Sequence, residues 1–504
     1  MALKKQNMKF IFAGLMLGTL TASMDSTIVA TAMASIISDL GGFDKLMWVT
    51  SAYMVAEIAG MPIFGKLSDI FGRKRFFIFG LVLFMLGSIL CGMAQSMEQL
   101  ILFRVIQGIG GGALAPISLT IMFDIISLEQ RGKIGAMLGT VYGLATVAGP
   151  LIGAFITDWL DWRSVFWINI PLGLAALILV AKFYRESPFH EKEPIDWQGS
   201  ILFVAAIGCF MVALEMGGHL YPWNSPLILT LFGCFAVLFA AFLYVERKVP
   251  APILSFSMFG KKLFAMSNIA AFLSGTSFIV LTVYIPIFVQ GGMGGSVVNS
   301  GLVLLPMMLA TIISGQVSGY LTKLTSYRNI MFGFTLIFIA GVALLAASDA
   351  HTPQMLLILY MFIAGFGIGA SFSVLSLAGV HHFGVRQSGA ANSSLSFFRL
   401  FGMTVGVSLF GVIQRHLFAE RMEESANVPQ HLLDDPRGLL NPEARQSIPA
   451  EQLETAVKAL TDSISQIFLW DIVPAALALL AIGMMGNERL IEAKARRANK
   501  KTPR

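Results

Sequence analysis

Charge is what this 504-residue chain has least of. Asp, Glu, Lys and Arg make up 13% of it, against about 25% in soluble domains. So small a supply cannot keep a chain of this size in water. Cysteine is scarce as well. Cys91, Cys209 and Cys234 each lie in an apolar run, which suits neither a disulfide framework nor a zinc site. No Gly-rich stretch carries the strand, Lys and Ser/Thr of a phosphate loop, which argues against an ATP-driven pump. No His/Cys cluster or nucleophile constellation is visible, and no sizeable cytosolic domain; these gaps disfavour an enzyme and a receptor. Disorder requires few aromatics, and this chain has 40 Phe. The formal charge of +6 does not mark a nucleic-acid binder, because the basic residues sort by membrane side.

What is present is apolar sequence: 56% hydrophobic residues, with a mean hydropathy of +0.75. The chain reads as an all-α integral membrane protein. A membrane-spanning helix needs about 20 mostly apolar residues. Fourteen candidates run over 10–37, 46–64, 76–94, 100–122, 134–157, 164–181, 199–217, 226–245, 264–290, 299–319, 329–347, 355–376, 391–412 and 467–485. Continuous apolar runs, rather than alternation, indicate helices and not a barrel. The first run is too long for a cleavable signal and contains Asp25. With both termini cytoplasmic, all but nine of the 35 Lys and Arg fall inside. Short external loops then keep only Lys45 and Arg163, as the positive-inside rule requires. Five more lie in an external segment, about 413–465, and Arg104 and Arg399 lie within spans. That segment has amphipathic stretches near 415–425 and 450–465. Between them, Asp434-Asp435-Pro436-Arg437-Gly438 and Asn441-Pro442 read as turns. Pro449 suits a helix start. A short external helical hairpin is expected, the alternative being an unstructured connector.

An internal repeat is visible. The loop Gly65 to Arg75 has a counterpart in Gly319 to Arg328, 254 residues later, and Gly108-Ile109-Gly110-Gly111-Gly112 has one in Gly365-Phe366-Gly367-Ile368-Gly369, 257 residues later. Six spans, two extra spans (199–217 and 226–245) and six spans fit this spacing. Parallel halves of this kind place a substrate site between them near the midplane.

Charged residues at membrane depth are functional candidates by default. Asp25 lies 16 residues after Lys9, ~24 Å along the helix. Arg104 is five residues into descending span four, ~8 Å below Gln99. The depths allow a pair or a shared cavity. A carboxylate whose proton affinity changes with exposure and with a cationic ligand is what proton-coupled exchange needs; the alternative is a purely bracing Asp25. Glu57, ~18 Å below Lys45, is a second candidate for a proton or a cationic ligand, or else a neutral hydrogen-bonded group. Glu215 and Asp471 read as outer-end residues of spans seven and fourteen. Arg399 either pairs with an acid or snorkels inward. Asp69 can stabilise the start of span three through the helix dipole, and Arg73 has Asp69 or Asp124 within its choice of partners. Gly108 to Gly112 and Gly143 to Gly153 offer close-packing helix faces, and Pro150 can kink span five.

These residues resemble the signatures of the major facilitator superfamily, in its fourteen-span drug:proton antiporter branch, along nearly the whole chain. Gly65 to Arg75 is similar to the loop between spans two and three. Leu100, Arg104, Gln107, Gly108, Gly110 and Gly112 look like the span-four motif. Gly149-Pro150 with Gly153 resembles the span-five antiporter motif, although Ala145 and Ala154 stand where Gly is common. Met24-Asp25-Ser26-Thr27-Ile28-Val29 resembles the span-one motif. Trp162-Arg163 with Phe166, Asn169, Pro171 and Gly173 resembles the start of span six.

The resemblance implies two six-helix bundles, 1–181 and 263–504, with a linker and two extra spans over 182–262. It implies a hydrogen-bond network around Arg104 joining spans one and four. It implies a cytoplasmic gate built on Gly65, Asp69, Gly72, Arg73, Lys74 and Arg75, and antiporter packing at Gly149, Pro150 and Gly153. The expected activity is export of small hydrophobic or cationic drugs in exchange for protons by a non-enzymatic, monomeric, multi-pass protein of a bacterial cell membrane. The proton gradient is the energy source, and no cofactor or nucleic acid is expected. A narrow-substrate importer or uniporter is the competing reading; the span-five motif and Asp25 count against it.

Overall fold

The computed structural model describes residues 7–41, 45–126, 131–186, 194–218, 220–250, 252–295, 297–384, 387–423 and 449–490. These are helical almost throughout, because inside a membrane every backbone group must find its partner within its own segment. In chain order the helices are α1 (Met8–Leu40), α2 (Leu46–Phe71), α3 (Arg73–Gly92), α4 (Met97–Ile125), α5 (Arg131–Trp159), α6 (Ser164–Trp167), α7 (Asn169–Phe183), α8 (Trp197–Met216), α9 (Pro226–Glu246), α10 (Phe256–Phe259), α11 (Lys262–Ile287), α12 (Val297–Leu321), α13 (Tyr327–Ala346), α14 (Gln354–Gly379), α15 (Ser388–Glu423) and α16 (Ala450–Gly483). A π-helical turn, Phe288–Gly292, follows Pro286 of α11. Side chains close several helix starts: Ser96 accepts from the Gln99 N–H, Asp196 from Gly199, Ser225 from Ile228 and Ser326 from Asn329.

Among the described residues, twelve helices are long and apolar enough to cross a membrane. They match twelve of the fourteen expected runs. At the other two positions stand α2 and α5, helices of 26 and 29 residues that are not in that set. The last two helices are longer than the apolar runs 391–412 and 467–485. α15 continues to Glu423, and α16 begins at Ala450, directly after Pro449. Much of the anticipated hairpin is therefore an extension of two spans. The turn residues from Asp434 to Pro442 lie outside the described residues. Asp471 consequently sits well inside α16, fully buried, and not at a wet outer end.

The chain divides into two compact units. The first comprises Met1–Asn268, Ser376–Phe397 and Leu490–Arg504; the second comprises Ile269–Leu375 and Phe398–Arg489. In the first, α4 is the central helix. Nearly all of it from Gly110 to Phe123 is buried, packed by α2 on one side and α3 on another. α1 packs on α5 and α7, and α8 lies on α2 with α9 outside it.

The internal repeat reappears as matched glycine contacts. A side chain added at Gly108 or Gly112 would collide with the α2 backbone at Tyr53 or Glu57, and one at Gly110 would strike Phe84 of α3. In the second unit Gly365 and Gly369 meet the α12 backbone at Met307 and Thr311, and Gly367 meets Phe338 of α13. Likewise Gly87 faces Gln107, and Gly341 faces Ala364. Each partner is displaced by 254 or 257 residues, the two offsets seen in the sequence. Small residues here let helix backbones meet without intervening side chains.

Candidate functional site

The candidate site of the first unit is assembled from α1, α3, α4 and α7. Asp25 of α1, Ser88 of α3, Arg104 and Gln107 of α4 and Asn169 of α7 are all fully buried. The Asp25 carboxylate is ion-paired with Arg104. Its other oxygen accepts from Gln107 Nε2 at 2.8 Å and from Asn169 Nδ2 at 2.7 Å. Both amides also donate to the Ser88 hydroxyl, at 3.1 and 2.9 Å, and that hydroxyl donates to the Phe166 carbonyl at 2.9 Å. Arg104 is held in turn. Its Nη1 donates to Gln107 Oε1 at 2.8 Å, and its Nε donates to the Val49 carbonyl at 2.9 Å. The guanidinium lies 4.2 Å from the Tyr53 ring centroid, and the Tyr53 hydroxyl donates to the Ala22 carbonyl at 3.2 Å.

The geometry has a chemical consequence. A buried charge is tolerated only when paired and hydrogen-bonded, and Asp25 has one guanidinium and two amide donors. Arg104 Nη2 and Asn169 Oδ1 remain without a hydrogen-bond partner. The network around the carboxylate thus leaves one donor and one acceptor unsatisfied. Asp25 is the one charged partner of Arg104 in this network, while the Val49 carbonyl, Gln107 Oε1 and the Tyr53 ring hold the guanidinium independently of it.

Depth arithmetic pointed to the Asp25–Arg104 pair. It did not assign Gln107 and Asn169 as donors to Asp25, nor single out Ser88. The available signal was polar side chains inside otherwise apolar runs. Glu57 stands apart: it is partly buried on α2, within electrostatic reach of Asp25 and Arg104 but outside their hydrogen-bond network. Arg399 does not extend to a surface. It is buried in the second unit, donates to the Ser371 carbonyl at 2.9 Å, and lies 4.4 Å from the Phe372 centroid. Glu215 of α8 has the Ser51 hydroxyl beside it.

The loop residues form a second constellation. Asp69 and Arg73, one turn apart, are joined at 2.8 Å and are both nearly inaccessible. Arg73 also pairs with Asp124 and donates to Ser388 Oγ at 2.9 Å. Asp69 accepts the backbone N–H of Gly389 at 3.1 Å and of Ala390 at 2.9 Å. It therefore caps the N-terminus of α15, where free N–H groups and the dipole favour an anion, and not the start of α3. Gly65 faces Ser393 and Gly389 so closely that an added Cβ would collide. Gly72 has φ of 108°, a conformation costly for residues with a Cβ, and this permits the sharp break between α2 and α3. Lys74 donates to the Ala181 and Tyr184 carbonyls at 2.7 and 2.6 Å, while Arg75 is exposed.

Gly149 and Gly153 of α5 abut Thr27, Ile28 and Thr31 of α1. Thr27 donates to the Ala145 carbonyl at 2.9 Å. Pro150, within the same helix, leaves a backbone position without an N–H. The span-five motif thus packs against the turn that immediately follows Asp25.

A family model described as Major Facilitator Superfamily matches residues 15–407, and the chain belongs to that transporter superfamily. It is 47% identical over 496 residues to Multidrug resistance protein 3 of Bacillus subtilis (strain 168), covering 97% of each chain. It is 32% identical over 491 residues to the Multidrug transporter protein MdtP of the same organism, covering 92% of this chain and 90% of that one. Among solved structures, the proton:xylose symporter XylE aligns with a TM-score of 0.59 at 14% identity, over 97% of this chain and 98% of its own. At that identity the likeness shows the shared fold.

Proposed function

We propose that this chain is a fourteen-span secondary exporter that expels amphiphilic and cationic toxic compounds from a bacterial cell in exchange for protons. Supporting the reading of cargo is the 47% identity to a protein named for multidrug resistance. The observation that carries the coupling is the buried Asp25 carboxylate, tied to Arg104, Gln107 and Asn169 on two other helices. A proton arriving at Asp25 neutralises it, weakens its hold on Arg104 and frees the helices to rearrange. Departure of the proton restores the ion pair. Glu57, near enough to sense both charges, is assigned the attraction of cationic cargo. The Asp69–Arg73–Asp124 cluster with Gly65, Gly72, Lys74 and Arg75 acts as the cytoplasmic gate. Gly149, Pro150 and Gly153 transmit changes between α5 and the Asp25 turn. Residues 1–181 and 263–504 are the two six-span bundles, α8 and α9 the extra pair, and both termini are cytoplasmic.

The test uses inside-out membrane vesicles carrying an acid interior. Adding ethidium, a lipophilic cation, should release protons from vesicles with the parent protein and not from vesicles with Asp25→Asn at matched expression. If a panel of cationic and neutral drugs never releases protons from the parent, multidrug antiport is wrong and a narrow-substrate facilitator takes its place. If Asp25→Asn couples normally, the proton is carried elsewhere.

A further inference from the structure

The second unit holds a buried acid that the Asp25 mechanism does not use. Asp471 of α16 is fully buried. The Ser277 hydroxyl of α11 stands beside its carboxyl as a donor, and neither group has another hydrogen-bond partner. Ser277 also lines a small cavity whose wall includes Ser274, Thr335 and Ser371. Ala475 and Ala478, one and two turns beyond Asp471 on α16, complete the same wall. Hydroxyls on three helices thus lead to the carboxyl through an otherwise apolar interior.

The charged groups around Asp471 are few. α11 and α13 carry Lys262 and Arg328 only at their first turns, and α14 and the π-helical turn carry none. On α16 itself Glu451, Glu454, Lys458 and Asp462 precede it by nine residues or more, at least ~13 Å along the axis. Arg399 donates to the Ser371 carbonyl on the cavity wall and lies over Phe372. Among the described residues, an ionised carboxylate at Asp471 would have no counter-ion and only the Ser277 hydroxyl as a donor, too little for a buried charge. The neutral acid, with its own O–H, is the form this environment admits.

The internal repeat supplies the second observation. By chain order within the repeat, α11 and α16 of the second unit correspond to α1 and α7 of the first. Thr276 of α11 donates to the Gly402 carbonyl of α15 at 3.0 Å, as Thr27 of α1 donates to Ala145 of α5. In the first unit the acid is on α1 and its partner Asn169 on α7. In the second, the acid is on the α7 counterpart and its neighbour Ser277 on the α1 counterpart. Gln107, a donor to Asp25, becomes Ala364 under the repeat.

We infer that Asp471, reached through the Ser277 side of this cavity, is a second proton-binding site, carrying a proton in addition to the one assigned to Asp25. The inference rests on the antiport reading for its role in transport, but not for the existence of the site. Purified protein in liposomes would be assayed for protons moved per ethidium, for the parent, Asp471→Asn and Asp25→Asn. The expected result is a parent that couples and an Asp471→Asn variant that still exports ethidium with one proton fewer per drug. An unchanged ratio in Asp471→Asn overturns the site. If the parent moves no protons at all, the antiport reading fails, and the site is judged by infrared spectroscopy alone. There, the parent should show a protonated-carboxyl band at neutral pH that Asp471→Asn removes and Ser277→Ala shifts. A spectrum unaltered by both substitutions overturns it, and the Ser277→Ala arm keeps the test open if Asp471→Asn does not fold.

Discussion

Replacing Arg104 by Gln tests whether the Asp25 network is one energetic unit. The substitution removes the guanidinium paired with Asp25 and leaves a fully buried carboxylate with two amide donors. Breaking a buried ion pair from one side costs about 3–5 kcal/mol, because the abandoned charge has no water to return to. Asp25→Asn is the mirror case: Arg104 keeps the Val49 carbonyl, Gln107 Oε1 and the Tyr53 face but loses its counter-charge. In the double variant neither charge is present, so the second substitution should cost far less than it does alone. The expected coupling energy is about 2–3 kcal/mol, the upper part of the range for residues in direct contact. The assay is equilibrium unfolding in mixed detergent micelles for the four proteins of the cycle. Additivity within about 0.5 kcal/mol, as for independent sites, would refute the claim that the two residues act together.

Three further outcomes follow from the same geometry. Gly108→Val should abolish stable expression, because the added side chain meets the Tyr53 backbone, whereas Gly333→Ala, which meets nothing, should be neutral or stabilising by up to about 1 kcal/mol; the yield of monodisperse protein distinguishes them. Asp69→Asn keeps the shape of the α15 cap but removes its charge and one of the two carboxylates on Arg73, which retains Asp124; it should lower transport rate and cost about 1–3 kcal/mol in stability, as read by vesicle uptake beside a thermal melt. At the C-terminal end of α1, Trp162 and Arg163 donate to Asp39 and hold its carboxyl below the usual range. A depressed folded value means the contact stabilises above the ordinary carboxylate value and fades as pH falls through the folded one. The melting difference between parent and Asp39→Asn should therefore be present at neutral pH, vanish in acid, and shrink with salt.

How much of this was legible in the sequence depends on direction. Position along a helix can be read, because each residue adds a fixed rise, and that arithmetic brought Asp25 and Arg104 to compatible depths. Position around a helix is harder to read. Lipid and neighbouring helices are equally apolar, so hydropathy does not say which face of α3 turns Ser88 inward or that α7 brings Asn169 to Asp25. The same gap explains Asp69: the physics of an anion at a helix N-terminus was readable, but the helix it reaches is α15 and not α3. The helix start at Pro449 was legible, but its continuity with the last apolar run was not, because Glu454, Lys458 and Asp462 break that run without breaking the helix. Glycine spacing was the most informative long-range signal, since Gly108, Gly110 and Gly112 and their counterparts at Gly365, Gly367 and Gly369 mark repeated backbone approaches.

The central claim is that Asp25 couples protons to export and does more than brace α1, α4 and α7. Drug-for-drug exchange separates the two roles, because exchange needs an intact, moving carrier but no net proton transfer. In liposomes loaded with unlabelled ethidium, Asp25→Asn should still exchange external labelled ethidium at a rate near that of the parent, while losing proton-driven accumulation. Loss of exchange together with accumulation would mean that Asp25 holds the helices and nothing more. Retention of both would place the coupling proton on another residue.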